Sequence, residues 1–168
     1  EKKRVDDELA RLSLIARNTM DAVSMTDDKG RILWVNESCV RMSGYTFKEV
    51  YEKTSEELFY GDLTDKTTRS FIEEKLARQE GYRCEIRKYK KSGTPFWVKA
   101  QAQPLFTEAR KLSHYFVIET DITERKEAFE KLAATEQEVR SFAMQHNNLL
   151  ESERLRIARE IHDELGQQ

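Results

Sequence analysis

The chain has 168 residues, 36% charged and only 38% hydrophobic, which suits one packed core with an appended exposed helix and leaves no room for two large domains. A formal net charge of −2 lacks the basic footprint of direct nucleic-acid binding or of contact with an anionic membrane. The two cysteines, Cys39 and Cys84, are too few for a disulfide framework and have no metal-ligand spacing, so they read as buried reduced thiols in a cytoplasmic protein.

In chain order, Val5, Leu9, Leu12, Ala16 and Thr19 recur at spacings of four and three among charged residues, the pattern of an amphipathic helix over residues 1–20. The opening EKKR is no signal peptide, and the longest apolar run, around YFVI, is far too short to span a bilayer. With no initiator Met and no stop signal after the final helix, the sequence reads as a piece of a longer protein. From Asp21 the periodicity changes: AVSMT, the turn DDKG and RILWVN predict a hairpin. Helices follow at NESCVRMSG, with Asn36 as N-cap and Gly44 at its end, at TFKEVYEK, and at DKTTRSFIEEKLARQEG, closed by Gly81. Strands then return as YRCEIRKYK, the turn KSG, TPFWVKAQAQPLF and KLSHYFVIETD. In this antiparallel meander Cys84, Ile86, Phe96, Val98, Ala100 and Ala102 alternate with mostly polar neighbours, so one face is buried.

After DITERK the pattern is helical to the end, with no Gly or Pro before Gly166, and Asp121 and Thr123 are good caps for the start. Leu132, Val139 and His146 lie seven apart, as do Ala128, Thr135, Phe142 and Leu149, the spacing of a parallel two-stranded coiled coil. The alternative is a helix folded back on the domain, but its length exceeds what a small domain covers. From Leu150 the apolar set continues through Ile157, Ile161 and Leu165; the eleven-residue step from Val139 to Leu150 shifts the phase of the seam and would locally unwind a left-handed coil.

His162 lies beside that last seam, with Ala158 and Gly166 one turn either side. Small neighbours leave an imidazole open to a large partner, and a helical Gly costs about 1 kcal/mol against Ala, a cost something should offset. On periodicity alone a lone helical His is more often a solvated side chain. A neutral imidazole is nevertheless nucleophilic near neutral pH, and Asp163 could steady the imidazolium that forms on attack. Adjacent helical residues point about 100° apart, so that contact needs favourable rotamers. Arg159 could hold a phosphate or simply pair with Asp163 or Glu160.

The stretch ERLRIAREIHDELGQ resembles the H-box of sensor histidine kinases, in the subfamily that pairs with response regulators of the NarL type. The resemblance implies that His162 is the phosphoacceptor, Asp163 the acid that polarises its ring, and Gln167 the residue that orients water when the regulator is dephosphorylated. It also implies ATP with Mg, used by a catalytic domain beyond Gln168, since no glycine-rich nucleotide loop occurs here. The fragment should then be inactive alone. Residues 21–121, with GRILWVNESCVRMSGYTFKEV, KSGTPFWV and ETDITERK, resemble a PAS domain, which implies an α+β fold: a five-stranded antiparallel sheet with helices over one face. Asp121, Ile122 and Thr123 resemble that family's junction with the outgoing helix. The implied organisation is an N-terminal helix over 1–20, PAS over 21–121, a coiled-coil linker over 122–150 and a truncated dimerisation helix over 151–168.

Within that family, ELFYGDLTD and KYKKSG resemble the flavin-binding light sensors, but the functional positions depart from them. The photoreactive cysteine falls on Glu56, the flavin-binding asparagines on Lys88 and Val98, the strand glutamine on Glu119, and the phosphate-gripping arginines on Glu57, Phe71 and Glu73. A flavin phosphate would meet carboxylates instead of partners. Haem is also disfavoured, because the helical side carries no histidine; His114 reads as an exposed strand residue. Lys88 and Glu119 should point inward and pair, Lys88 with Glu119 or Glu56, either filling the old cofactor space or lining a pocket for a small polar ligand or a pH response. The function implied is the sensory and phosphoacceptor portion of a two-component kinase, acting as a parallel homodimer. The alternative is a non-catalytic PAS dimerisation or ligand-binding module.

Overall fold

The computed structural model describes residues 20–165; the helix expected over 1–20, apart from Met20, and Gln167 lie outside the described residues. The chain divides into a unit ending at Glu124 and a helical unit beginning at Arg125.

In the first unit, β1 (Ala22–Thr26) and β2 (Ile32–Val35) form the expected hairpin. Helices α1 (Glu37–Ser43), α2 (Phe47–Val50), α3 (Ser55–Phe59) and α4 (Lys66–Ala77) follow, then β3 (Tyr82–Tyr89), β4 (Pro95–Phe106) and β5 (Leu112–Asp121). The five strands form one antiparallel sheet in the order β2-β1-β5-β4-β3, so the first and last strands meet near its centre. Alternation decides which face is buried. Ile86 and Val98, opposite one another across β3 and β4, are almost wholly buried with Phe96, Ala100 and Ile72 of α4. Ala22, Ile32 and Val35 pack on Cys39, Val50 and Phe59 from α1, α2 and α3. Each full side-chain burial of this kind stabilises by roughly 1.5–3 kcal/mol.

Asn36 begins α1 as its sequence context predicts. Its buried Oδ1 accepts from Cys39 N at 2.9 Å, capping the helix, and from Val23 N at 3.0 Å, tying that cap to β1. Gly44 ends α1 in the left-handed region, φ 78°, where a Cβ would be strained.

Two helices are shorter than their patterns predict, and a third was not predicted. Helix α2 stops after one turn because Glu52 turns left-handed, φ 59°, and donates its N–H to Ile32 O at 2.8 Å. The chain leaves the helix there to pair along β2. Helix α4 ends at Ala77 rather than at Gly81: Gln79 takes the left-handed position, φ 57°, and Gln79 N and Glu80 N donate back to Leu76 O and Lys75 O, a Schellman closure. Gly81 has another role, since a Cβ there would come within 2.8 Å of Ala102 O; it lets the chain enter β3 against β4. Helix α3 carries a capping box, with Thr54 and Glu57 bonded reciprocally.

Glu49 closes the equivalent box on α2 and also reaches Lys91 Nζ at 2.5 Å. The Lys91 hydrogen bond, followed by those from Thr46, holds its carboxyl down to about 2 from the ordinary 4.5. A depressed folded pKa means that this contribution is complete above pH 4.5 and is lost as pH falls towards 2. Scanning calorimetry should therefore show the melting midpoint falling through that window, less steeply in Glu49→Gln than in the parent chain. Equal slopes would refute the assignment.

The second unit is one helix; with its first residues at the end of the preceding unit, α5 runs Thr123–Leu165. Phe129, Leu132, Val139, Phe142, Leu149 and Leu150 are all exposed along it, as are Ile157, Ile161 and Leu165. An apolar row repeated over that length has no covering surface among the described residues. The helix continues through the phase shift at Leu149 and Leu150 without a break.

Candidate functional site

A cavity of about 210 Å³ lies between the sheet and the helices. Ile32, Ile72, Leu76, Ala102 and Val117 supply aliphatic walls; Phe59, Tyr60, Tyr82 and Tyr115 supply rings. Glu119 of β5 and Ser24 of β1 add polar atoms inside, while Lys29, Glu56, Arg69 and Glu73 also contribute to the lining.

Of the pocket residues expected from the sequence, Glu56 and Glu119 line this cavity; Lys88 and Val98 do not. Val98 is fully buried in the core. Lys88, only 3% exposed, donates to Glu119 Oε1 in a close ion pair. Its ammonium also stands 3.4 Å from Ser55 Oγ and 5.1 Å from the centre of the Phe59 ring. The inward pairing of Lys88 is thus with Glu119 and not with Glu56, which pairs with Arg69 between α3 and α4. Burial opposes the charge on Lys88, but the Glu119 carboxylate, with smaller help from Tyr60, outweighs it, and the pKa is raised above its ordinary value. A buried charge persists only on such terms.

Burial pushes the Cys39 thiol, which lines the cavity, up to about 12 and that of Cys84 up to about 11. Both stay protonated and unreactive at neutral pH. Burial, reinforced by the Glu119 charge, raises the Tyr82 hydroxyl well above its ordinary value, so it remains a hydrogen-bond donor. Tyr82 was missed in the sequence although the signal was there: it shares the parity of Cys84 and Ile86 on β3. His114 is half-buried rather than exposed, with Nδ1 2.5 Å from Ser113 Oγ.

At the end of β5, Asp121, Ile122 and Thr123 are fixed by a short run of hydrogen bonds. Asp121 Oδ1 accepts from Thr123 N at 2.9 Å, Thr123 Oγ1 accepts from Trp97 N at 2.8 Å, and buried Ile122 donates its N–H to Trp97 O at 2.9 Å. Thr123, the first residue of α5, is therefore held by β4. Glu119 and Asp121 are two residues apart on the same face of β5, opposite Ala100 and Val98, so the cavity and the helix start share one strand. Thr123→Val removes the acceptor for Trp97 N and should cost about 1–3 kcal/mol in urea unfolding. An unchanged unfolding midpoint would remove Thr123 from this role.

In the helical unit His162 and Asp163 are both exposed. Asp163 borders a shallow groove with Ser152, Arg156 and Arg159. Glu160 pairs with Arg156 at 2.7 Å, and Arg156 also bonds Glu153 at 2.5 Å. Among the described residues no cluster suited to a metal ion occurs, and no helix is long and apolar enough to cross a membrane.

Comparison with known proteins fits this geometry. Residues 20–124 match the family described as the PAS domain. The chain is 34% identical over 100 residues to the voltage-gated delayed rectifier potassium channel KCNH1 of Homo sapiens, covering 59% of this chain and 10% of that protein. It is 32% identical over 92 residues to a blue-light-activated histidine kinase of Brucella anthropi, covering 55% of this chain and 18% of that protein. Among solved structures, an RNA-binding light-oxygen-voltage receptor matches with TM-score 0.66 and 25% identity over 76% of this chain and 38% of that one. The PAS domain of the fruit-fly ELK potassium channel matches with TM-score 0.61 and 24% identity over 68% of this chain and 97% of that one, a likeness of fold alone. The matched region thus spans less than a fifth of either curated relative.

Proposed function

The chain belongs to the PAS domain family, and on that premise we propose that it is the sensory and phosphoacceptor portion of a two-component histidine kinase acting in the cytoplasm. The cavity is the input. The Glu119–Asp121 strand and the Thr123 junction form the exit, and α5 pairs with the same helix of a second copy to carry the signal as a small rotation or register change, softest near Leu149 and Leu150. His162 accepts phosphate from ATP and Mg held by a separate catalytic domain and passes it to an aspartate of a response regulator of the NarL type. Asp163 orients the imidazole, and Gln167 positions water in the reverse reaction.

The observation that carries this reading is the exposed His162–Asp163 pair on the helix that leaves the PAS domain at Thr123. Its exposed apolar rows support pairing, and the resemblance to a blue-light-activated histidine kinase agrees. The potassium-channel relatives favour a second reading, a non-catalytic module. Incubating the chain with the parent's catalytic domain and γ-labelled ATP separates the two: acid-labile, base-stable label on this chain is expected, and its absence leaves the non-catalytic reading.

The residues do not fit a flavin mononucleotide. Glu56 is paired with Arg69, and a flavin phosphate brought to this part of the lining would compete with Glu56 for Arg69 while meeting the carboxylate of Glu73. The sensory domain is accordingly proposed to work without flavin or haem.

A further inference from the structure

The cavity presents a definite recognition chemistry. Inside it the charges cancel, since the Glu119 carboxylate is matched by Lys88 behind it. Around the lining Lys29 and Arg69 are matched by Glu56 and Glu73. A charged guest would upset that balance beside the buried Lys88–Glu119 pair, where an uncompensated charge is costly. The rings of Phe59, Tyr60, Tyr82 and Tyr115 suit a flat apolar body. Lys88 takes only Oε1 of Glu119; Oε2 accepts no hydrogen bond among the described residues, and neither do the hydroxyls of Ser24, Tyr60 and Tyr82. An ionised carboxylate can only accept, so its complement is a donor.

We propose that the cavity binds a small, neutral, planar heterocycle whose ring N–H donates to Glu119 Oε2, an inference that rests on reading the cavity as the sensory input. Binding then reaches the signal exit directly. The hydrogen bond competes with Lys88 for the same carboxylate, two residues before Asp121 on the strand that holds the start of α5.

Isothermal titration of the full chain with three probes tests this. Indole is the neutral N–H donor, benzofuran has the same shape with the N–H replaced by an oxygen, and benzoate is an anion. Indole should bind about tenfold or more tightly than benzofuran, because a hydrogen bond to a charged group is lost, and benzoate should not bind. Amide NMR shifts of Ala102, Val117 and Glu119 should move with indole, placing it in the cavity. Equal affinity for indole and benzofuran, preference for benzoate, shifts confined to other residues, or no binding of indole up to its solubility limit would each overturn the proposal. These readouts involve no phosphate transfer. Indole binding without label on His162 would remove the kinase reading alone, and label without indole binding would remove this inference alone.

Discussion

His162→Gln will abolish acid-labile label on this chain in the reconstituted reaction, while His146→Gln, altered on the same helix, will leave it in place. Phosphoryl transfer through a loose transition state asks little of the protein beyond position and charge, but it does require a nucleophile, and Gln has no nucleophilic lone pair to offer at neutral pH. The side chain is exposed on α5, so the substitution removes no packing and helicity by circular dichroism should not change. Asp163→Asn separates proton work from mere proximity. If the carboxylate stabilises the developing imidazolium, the rate should fall by about 10²–10⁴ with helix content intact. If Asp163 only belongs to the surface groove with Arg156 and Arg159, the rate should barely move. Label persisting in His162→Gln would end the phosphoacceptor assignment outright.

Much of the fold was legible because its signals are local. Asn36 and Gly44 mark the ends of α1 by capping chemistry and backbone sterics that need no distant partner. The alternation through Cys84, Ile86, Phe96 and Val98 fixes the buried face of the sheet by periodicity alone. Failures came where a long-range contact overrides local preference. Periodicity carries TFKEVYEK on as helix, but pairing of Glu52 and Lys53 with Ile32 ends it after Val50. Gly81 looks like a helix stop, yet its smallness is needed against Ala102 O, and Gln79 makes the stop. Thr54 followed three residues on by Glu57 is a capping-box signature, so α3, absent from the expected elements, does carry a local signal in the sequence. The cavity shows the same division. Inward parity placed Lys88 and Glu119, but parity could not choose between Glu119 and Glu56 as partner, because Glu56 is drawn to Arg69 by the way α3 and α4 meet.

That pair sets up the largest stability effect. Lys88→Met should destabilise the PAS domain by about 3–5 kcal/mol, since it leaves a carboxylate with little solvent access and no cation beside it. Glu119→Leu should cost a similar amount by stranding the ammonium with only Ser55 Oγ at 3.4 Å and the Phe59 ring. The double variant Lys88→Met, Glu119→Leu should be more stable than either single one, and within a few kcal/mol of the parent, because replacing a buried ion pair with apolar groups removes two desolvation penalties along with one attraction. The pH dependence follows from the raised Lys88 pKa: a raised folded value means the pair's contribution is intact below the ordinary 10.5 and is lost only as pH climbs through the higher folded value. Neutral-pH stability should therefore be insensitive to this pair's titration, and the double variant should lose the alkaline part of the stability curve that the parent shows. Urea unfolding of the four proteins at neutral pH measures the coupling. Purely additive losses would mean that Lys88 and Glu119 stabilise the fold independently, and the cavity would then lack the internal charge balance that makes a neutral guest its natural occupant.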